Sequence, residues 1–295
     1  MYDAYMSAHP ILVTGALGNI GNHVIGDLVA AGRPVRAADV DPEALSARFD
    51  GVAATRFDFT DASTWGAAFE DVELLFLMRP PHLSNIARDM VPALEAAKAA
   101  GVRHMVLLSL QGAERNKVVP HAKIEAWLRG SGLHWTFVRP SFFMENLSGT
   151  HASDIRDRDS IVVPAGKGRT SFVAASDVAA VAAAALLDPD AHLDRAWTPT
   201  GPAALTYDEV ATILSRVLGR PIRYTRPGAL RYFRHATRDL GMERPMALVT
   251  TAIYTIARLG RAGGLTDDVR TVTGREPLGF QEWAQEHRDA WQRRG

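Results

Sequence analysis

Residues 13–21 read Val-Thr-Gly-Ala-Leu-Gly-Asn-Ile-Gly, with glycines at 15, 18 and 21. Three glycines at this spacing, after a β-branched run and at the start of a helical stretch, suit a diphosphate. Gly15 permits a tight turn. Gly18 lets backbone approach phosphate oxygens with no Cβ in the way, and Gly21 lets the helix pack close to a sheet. The uncommitted N–H groups of the first helical turn then face the phosphates. Gly15, Ala16, Leu17, Gly18, Asn19, Ile20 and Gly21 are therefore the expected cradle of a dinucleotide. Asp39 closes the next β-type run, eighteen residues beyond Gly21. A carboxylate there accepts hydrogen bonds from an adenosine ribose and repels a 2′-phosphate. Val40 brings no cation, so the pattern favours NAD over NADP. Arg33 and Arg36 pull the other way, since either can turn toward a phosphate. Asp58, followed by Phe59, ends a third run. It either meets the adenine amino group or caps the segment after Thr60.

A second constellation begins at Ser109, the end of a fifth run, and continues with His121-Ala122-Lys123-Ile124-Glu125. His121 and Glu125 are four apart and share a helical face, while Lys123 points roughly 160° away. Imidazole titrates near neutrality, which suits His121 to general acid catalysis, with Glu125 raising its pKa and fixing its tautomer. The plainer alternatives are a helix-start contact for His121, an i,i+4 pair of Glu125 with Arg129, and a strand-closing hydroxyl for Ser109. Arg139 ends a sixth run and meets either a phosphate or an internal carboxylate. Trp135, Phe142, Phe143 and Met144 are suited to stacking on a flat aromatic molecule, and Asn146 to orienting a carbonyl or amide. The hydrophobic core competes for the same side chains.

These residues need elements to hold them. Strands are expected at 11–14, 35–39, 53–57, 73–78, 104–109 and 135–139, and helices at 19–31, 42–49, 62–69, 84–100 and 121–130. Such alternation points to parallel crossover units, and continuous apolar runs fit strands covered on both faces. The expected fold class is α/β: a Rossmann-type doubly wound parallel sheet with a smaller, mostly helical C-terminal substrate region. The later chain adds candidate strands at 161–163 and 196–199, a glycine-rich stretch at 165–168, and helices at 176–187, 206–218 and 281–293. Thr206 and Glu209 have capping-box spacing. Residues 229–260 read as helical, broken around 241–245. The expected division is a dinucleotide-binding core at 1–143, an insertion into the substrate region at 144–160, returning core elements at 161–195, and substrate region over most of 196–295.

Composition narrows the function classes. Apolar residues make up 47% and charged residues 22% of the 295, enough for a substantial core without staples. Cysteine is absent, which excludes disulfides, thiolate chemistry and cysteine-based zinc sites. Lys plus Arg equals Asp plus Glu at 33 each, so no global basic surface invites nucleic acid. The histidines lack metal-ligand spacing, and no metal is expected. No apolar stretch approaches the roughly 20 residues needed to cross a bilayer. The opening MYDAYMSAHP lacks a signal peptide's basic start and apolar run. The expectation is a cytoplasmic monomer or homodimer with no membrane and no nucleic-acid partner.

The chain resembles the NmrA-like group of atypical short-chain dehydrogenases, near its quinone-, azo- and dye-reducing members. The marks run over nearly its whole length. They are the glycine loop, Phe57-Asp58-Phe59-Thr60-Asp61, Leu107-Leu108-Ser109, the stretch 131–140, Phe142-Phe143-Met144-Glu145-Asn146, the stretch 200–206 and Gly219-Arg220-Pro221. The resemblance implies a nicotinamide cofactor, NAD or NADP. It places Arg36 where the family keeps a strand arginine, and Val40 where NADP-preferring relatives often carry another. It places Met78 and Arg79 beside the nicotinamide ribose, and residues 142–146 beside the nicotinamide and substrate. Ordinary short-chain dehydrogenases use serine, tyrosine and lysine. The helix after Ser109 holds no tyrosine, and position 119, four before Lys123, is valine. The implied reaction is therefore NAD(P)H-dependent hydride transfer to a small quinone-like or extended aromatic (azo or dye) acceptor, protonated by solvent with His121 assisting. The alternative is a cofactor-binding redox sensor with little turnover, which the missing tyrosine favours.

Overall fold

A computed structural model describes residues 9–293. Residues 1–8, most of the segment compared above with a signal peptide, lie outside the described residues. The chain runs through β1 (Ile11–Thr14), α1 (Asn19–Ala30), β2 (Val35–Asp39), α2 (Pro42–Arg48), β3 (Ala53–Arg56), α3 (Trp65–Phe69), β4 (Leu74–Met78), α4 (Ile86–Asp89), α5 (Val91–Ala99), β5 (His104–Leu108), α6 (Pro120–Gly130) and β6 (His134–Val138). It continues through β7 (Phe142–Phe143), α7 (Glu145–Ser148), α8 (Ala152–Arg158), β8 (Ser160–Ile161) and β9 (Arg169–Val173). Then come α9 (Ala175–Leu187), α10 (Pro189–His192), β10 (Arg195–Trp197), β11 (Ala204–Thr206), α11 (Tyr207–Leu218), β12 (Arg223–Tyr224), α12 (Ala229–Arg238), α13 (Arg244–Arg258), α14 (Asp268–Thr273) and α15 (Phe280–Glu286).

Two compact units result. The first holds the chain up to Pro140 with Ala175–Pro199 and Thr271–Gly274. Its seven strands form one sheet, ordered β10-β6-β5-β4-β1-β2-β3, with every neighbouring pair parallel. β1 and β5 are buried along their whole length, as their largely apolar sequences favour. One core of this unit packs Leu12, Leu75, Leu77, Met105, Leu107 and Phe137 with Leu94 and Ala97 of α5. Alanine-rich α9 lies against α1, its small side chains allowing close packing. The sheet order reverses direction between β1 and β4. In this fold class that switch point is where ligands sit, at the carboxyl ends of the strands.

The second unit holds Ser141–Ala174, Thr200–Arg270 and the chain from Arg275. It has a three-stranded sheet, β11-β9-β7, a two-stranded one, β12-β8, and helices around Tyr207, Tyr232, Tyr254, Trp283 and Trp291. Thr206 and Glu209 form the expected capping box at the start of α11.

Several expected elements change. The helix expected over 84–100 breaks at Met90 because Pro92 follows: proline lacks an N–H and its ring excludes the preceding turn. The 62–69 helix starts as a 3₁₀ turn over Ala62–Thr64. The terminal helix stops at Glu286 and resumes as a 3₁₀ turn over Arg288–Trp291. β9 was not anticipated, although it is the middle strand of its sheet. Its arginine, threonine and serine disguise a strand that is buried from Thr170 onward.

Candidate functional site

The candidate residues of the first unit follow the carboxyl ends of successive strands. Thr14 ends β1, and its buried hydroxyl donates to the Phe76 carbonyl (2.9 Å) and accepts from the Met78 N–H (3.0 Å). This pins β1 to β4 at the switch point. Sequence reading passed over Thr14; its signal is a hydroxyl side chain directly before the first glycine. Gly15 turns at φ +63°, a left-handed conformation that side chains disfavour. The Gly18 N–H donates to the Gly15 carbonyl at 3.0 Å. Gly18 also stands at the N-cap of α1, with no side chain capping the helix and no acid in its first turn. The first-turn N–H groups of Asn19, Ile20 and Gly21 thus carry the positive end of the helix dipole without a side chain over them.

Gly15 and Gly21 are sterically required, and Gly18 has little room to spare. A Cβ on Gly15 would collide with the Met78 methyl, and one on Gly21 would strike the Gly15 carbonyl and come within 2.9 Å of the Ala16 Cα. A Cβ on Gly18 would meet the Met78 methyl at 3.1 Å and the Gly15 oxygen at 3.2 Å. Ala16 and the Ile20 side chain are buried beneath the turn, and Leu17 is exposed above it. Bare backbone at a free helix N-terminus fits a diphosphate.

Asp39, at the end of β2, reaches this loop. Its carboxylate accepts from the Leu17 N–H (3.2 Å) and from the Val40 N–H (2.9 Å). Arg36 does not reach it. Its guanidinium donates to the carbonyls of Ala67, Ala68 and Glu70 at the end of α3, where the helix dipole and open carbonyls attract a cation. Its donors are thus engaged by backbone carbonyls rather than by the glycine loop. Asp58 accepts from the N–H and hydroxyl of Thr60, both at 2.8 Å, while Asp61 caps the following turn. The Phe59 side chain is buried edge-on to Phe57 at 4.7 Å, which leaves only its backbone for a ligand. Arg79 turns onto its own loop, donating to the carbonyls of Pro80, Pro81 and Leu83. Burial lowers its pKa.

The second constellation rearranges most. The Ser109 hydroxyl donates to Glu125 at 2.6 Å. Arg139 grips the same carboxylate with two N–H groups at 2.9 and 2.6 Å, and Arg129 reaches it at 3.2 Å. Glu114 approaches Arg139 at 3.5 Å. Glu125 is 1% exposed. Burial pushes its carboxyl up, but Arg139 and Ser109 outweigh it and hold the net pKa below the usual range. The i,i+4 pair with Arg129 and the internal carboxylate for Arg139 both occur. Together they tie the ends of β5 and β6 to α6.

His121 stands one turn before Glu125 without bonding to it. Burial first, then the Arg79 cation, lower its pKa to about 4, although Glu125 acts the other way. Its Nδ1 is buried without a hydrogen-bond partner. Glu125 does raise this pKa, as expected, but desolvation and the Arg79 cation outweigh it, so the imidazole pKa is not brought toward neutrality as a general acid requires. A neutral imidazole at pH 7 has no proton of ordinary acidity to give. Lys123 is exposed on the far face.

The aromatic candidates part company. Trp135 lies near the start of β6, the wrong end of the sheet, stacked on Phe137 at 4.0 Å with Arg129 over it at 5.1 Å. This corrects its substrate role, as burial corrects that of Met144, 1% exposed in the core of the second unit. Phe142, Phe143 and Asn146, in the same unit, are half-buried. Phe142 leans on Tyr254 at 6.1 Å.

The sequence profile of the NmrA-like family matches residues 7–256. The chain belongs to the NmrA-like family. It is 35% identical to the NAD(P)H azoreductase of Xenophilus azovorans over 291 residues, covering 95% of this chain and 99% of that protein. It is 36% identical to the (4-alkanoyl-5-oxo-2,5-dihydrofuran-3-yl)methyl phosphate reductase of Streptomyces griseus over 293 residues, with 95% and 99% covered. The crystal structure of Citrobacter sp. triphenylmethane reductase complexed with NADP(H) superposes with a TM-score of 0.82 at 26% identity, over 94% of this chain and 99% of the other. Among the described residues, no helix is long and apolar enough to cross a membrane, and no three His, Asp or Glu side chains are grouped to hold a metal.

Proposed function

We propose that this chain is an NAD(P)H-dependent oxidoreductase that passes hydride to quinone-like or other extended aromatic acceptors, azo compounds and dyes included. One observation carries the reading: a side-chain-free turn and an uncapped twelve-residue helix at the switch point of a parallel sheet. The likeness to an azoreductase and to a dye reductase supports the acceptor class. The bound dinucleotide supplies the hydride. The N–H groups from Gly15 to Gly21 hold its diphosphate, and Asp39 accepts from the adenosine ribose. Asp58 and the backbone at Phe59 border the adenine, and Met78 the nicotinamide ribose. Phe142, Phe143 and Asn146 are the partly exposed members of the acceptor-binding set, and the second unit is the substrate region.

No side chain of the site gives up a proton at pH 7. Ser109 has committed its hydroxyl to Glu125, and His121 is neutral, so it orients at most by hydrogen bonding. Acceptors whose reduced anion is delocalised suit such a site, because water can protonate it afterwards. We read the cofactor preference as NAD, since Asp39 repels a 2′-phosphate and Val40 offers it no cation. Calorimetry then gives a lower Kd for NADH than for NADPH; the reverse order rejects the preference. The fold proposal for the protein in the cell is a cytoplasmic monomer or homodimer. The reaction is tested with a panel of quinones and azo dyes, some of which are reduced at the expense of NADH. Tight cofactor binding with no turnover across the panel favours the second reading, a redox sensor, which the absence of a tyrosine in α6 supports.

A further inference from the structure

Of the twelve large apolar side chains exposed among the described residues, eight lie between Leu230 and Leu265. Met246, Leu248, Val249, Ile253 and Ile256 stand on α13, and Leu259 follows it, each 42–66% exposed. The inward face of α13 is already filled by Ala247, Thr251, Tyr254 and Ala257. The helix is thus apolar on both sides. In a soluble protein such a helix is normally covered, and patches of this size mark interaction sites.

The neighbouring helix supplies the charge. α12 packs beside α13 and buries Tyr232, His235 and Ala236. Its opposite face presents Arg231, Arg234 and Arg238, spaced i, i+3, i+7 and all exposed. Arg244 opens α13 and Arg261 follows it, and both are exposed as well. None of these five arginines forms an ion pair among the described residues. Asp239, at the end of the stripe, is held by His235 and Arg158. Glu243 is the hairpin's other carboxylate. The chain as a whole has no net charge, so this excess of cations is local.

We propose that the α12–α13 hairpin docks on an anionic lipid surface, with the apolar face of α13 in the headgroup layer and the α12 arginines on lipid phosphates. Exposed aliphatic side chains beside uncompensated arginines are the pattern of an interfacial helix. Charge decides the occupant. A second copy would bring a like arginine stripe to the rim, whereas anionic lipid neutralises it, each cation raising the partition about fivefold. The fifteen-residue α13 lies in the membrane plane and does not span it, so the lack of a spanning segment stands. Docking is independent of turnover.

Flotation with vesicles tests this, using phosphatidylcholine alone or mixed with phosphatidylglycerol. The full chain floats with the mixed vesicles at low salt, partitioning more than about tenfold better than with neutral ones, and salt releases it. Arg231→Gln/Arg234→Gln/Arg238→Gln loses the preference for phosphatidylglycerol. Ile253→Gln/Ile256→Gln lowers binding to both vesicle types, and unchanged melting temperatures show that both variants are folded. Failure to float, or equal binding to the two vesicle types, overturns the proposal. So does a dimer in sedimentation velocity that Ile253→Gln/Ile256→Gln dissolves while vesicle binding is absent, which assigns the face to a second copy.

Discussion

His121 and Glu125 share a face of α6, as a spacing of four requires, yet they do not form the pair that spacing invites. The difference lies in what surrounds each group. Glu125 has a buried arginine two elements away, Arg139, that no local spacing reveals. His121 has buried surroundings and the Arg79 cation. Periodicity gives the face a side chain occupies, not the charge that arrives from another strand. The consequence is chemical. His121→Ala is expected to lower kcat by less than about tenfold, since a general acid is worth about a hundredfold or more. The kcat–pH profile should show no His121-dependent step near the ordinary histidine pKa. A larger loss, with such a step abolished in the variant, restores His121 as the acid. Asp39 was legible for the opposite reason: strand end and glycine loop are set by local sequence, and the fold brings them together.

At the scale of elements, the loop from Gly15 to Gly21 gives the sharpest test. Gly21→Ala drives a methyl into loop backbone, which cannot yield, and is expected to cost about 1–3 kcal/mol of stability as well as dinucleotide binding. Gly18→Ala brings a methyl to 3.1 Å from the flexible end of Met78 and 3.2 Å from the Gly15 oxygen, tighter than ordinary contact but relieved by shifts of a few tenths of an ångström. It should fold with a small change in melting temperature while weakening the dinucleotide about tenfold or more, because the methyl fills the cradle. Chemical denaturation and cofactor titration of the two variants separate these effects. Equal behaviour would mean that Gly18 serves packing alone. The strands of the first unit were readable because β1, β4 and β5 are largely apolar runs between turn residues and β2 follows the glycine-opened helix at crossover spacing. β7, β9, β11 and β12 were not, being short or polar and defined by partners distant in sequence, as when Phe142 pairs with Phe172. Pro92 did announce the break in the 84–100 helix, through a proline rule outweighed there by the apolar period.

Across the whole molecule, three histidines share one property. Burial lowers the pKa of His104, His121 and His151 to about 4. In the unfolded chain each returns to about 6.5. Between those values the unfolded state binds more protons, so stability is lost as pH falls from about 6.5 to about 4, with a slope of up to about 1.4 kcal/mol per pH unit for each histidine. Glu125, held below the ordinary glutamate range, extends the loss further into acid. Urea midpoints measured across this window should fall steadily with pH, and His104→Gln should flatten the slope; a flat profile in the unaltered chain contradicts the assignment. The fold class was legible because alternation and a glycine motif repeat one message over the first unit. The acceptor was not, because its contacts depend on which aromatic side chains the core leaves uncovered. Binding of the dinucleotide is the claim on which catalysis and sensing both stand. Calorimetric titration of the folded chain with NADH tests it most directly: saturable heat at one site, lost or strongly weakened in Gly18→Ala, is the result expected. No heat and no rise in melting temperature with either NADH or NADPH would contradict it.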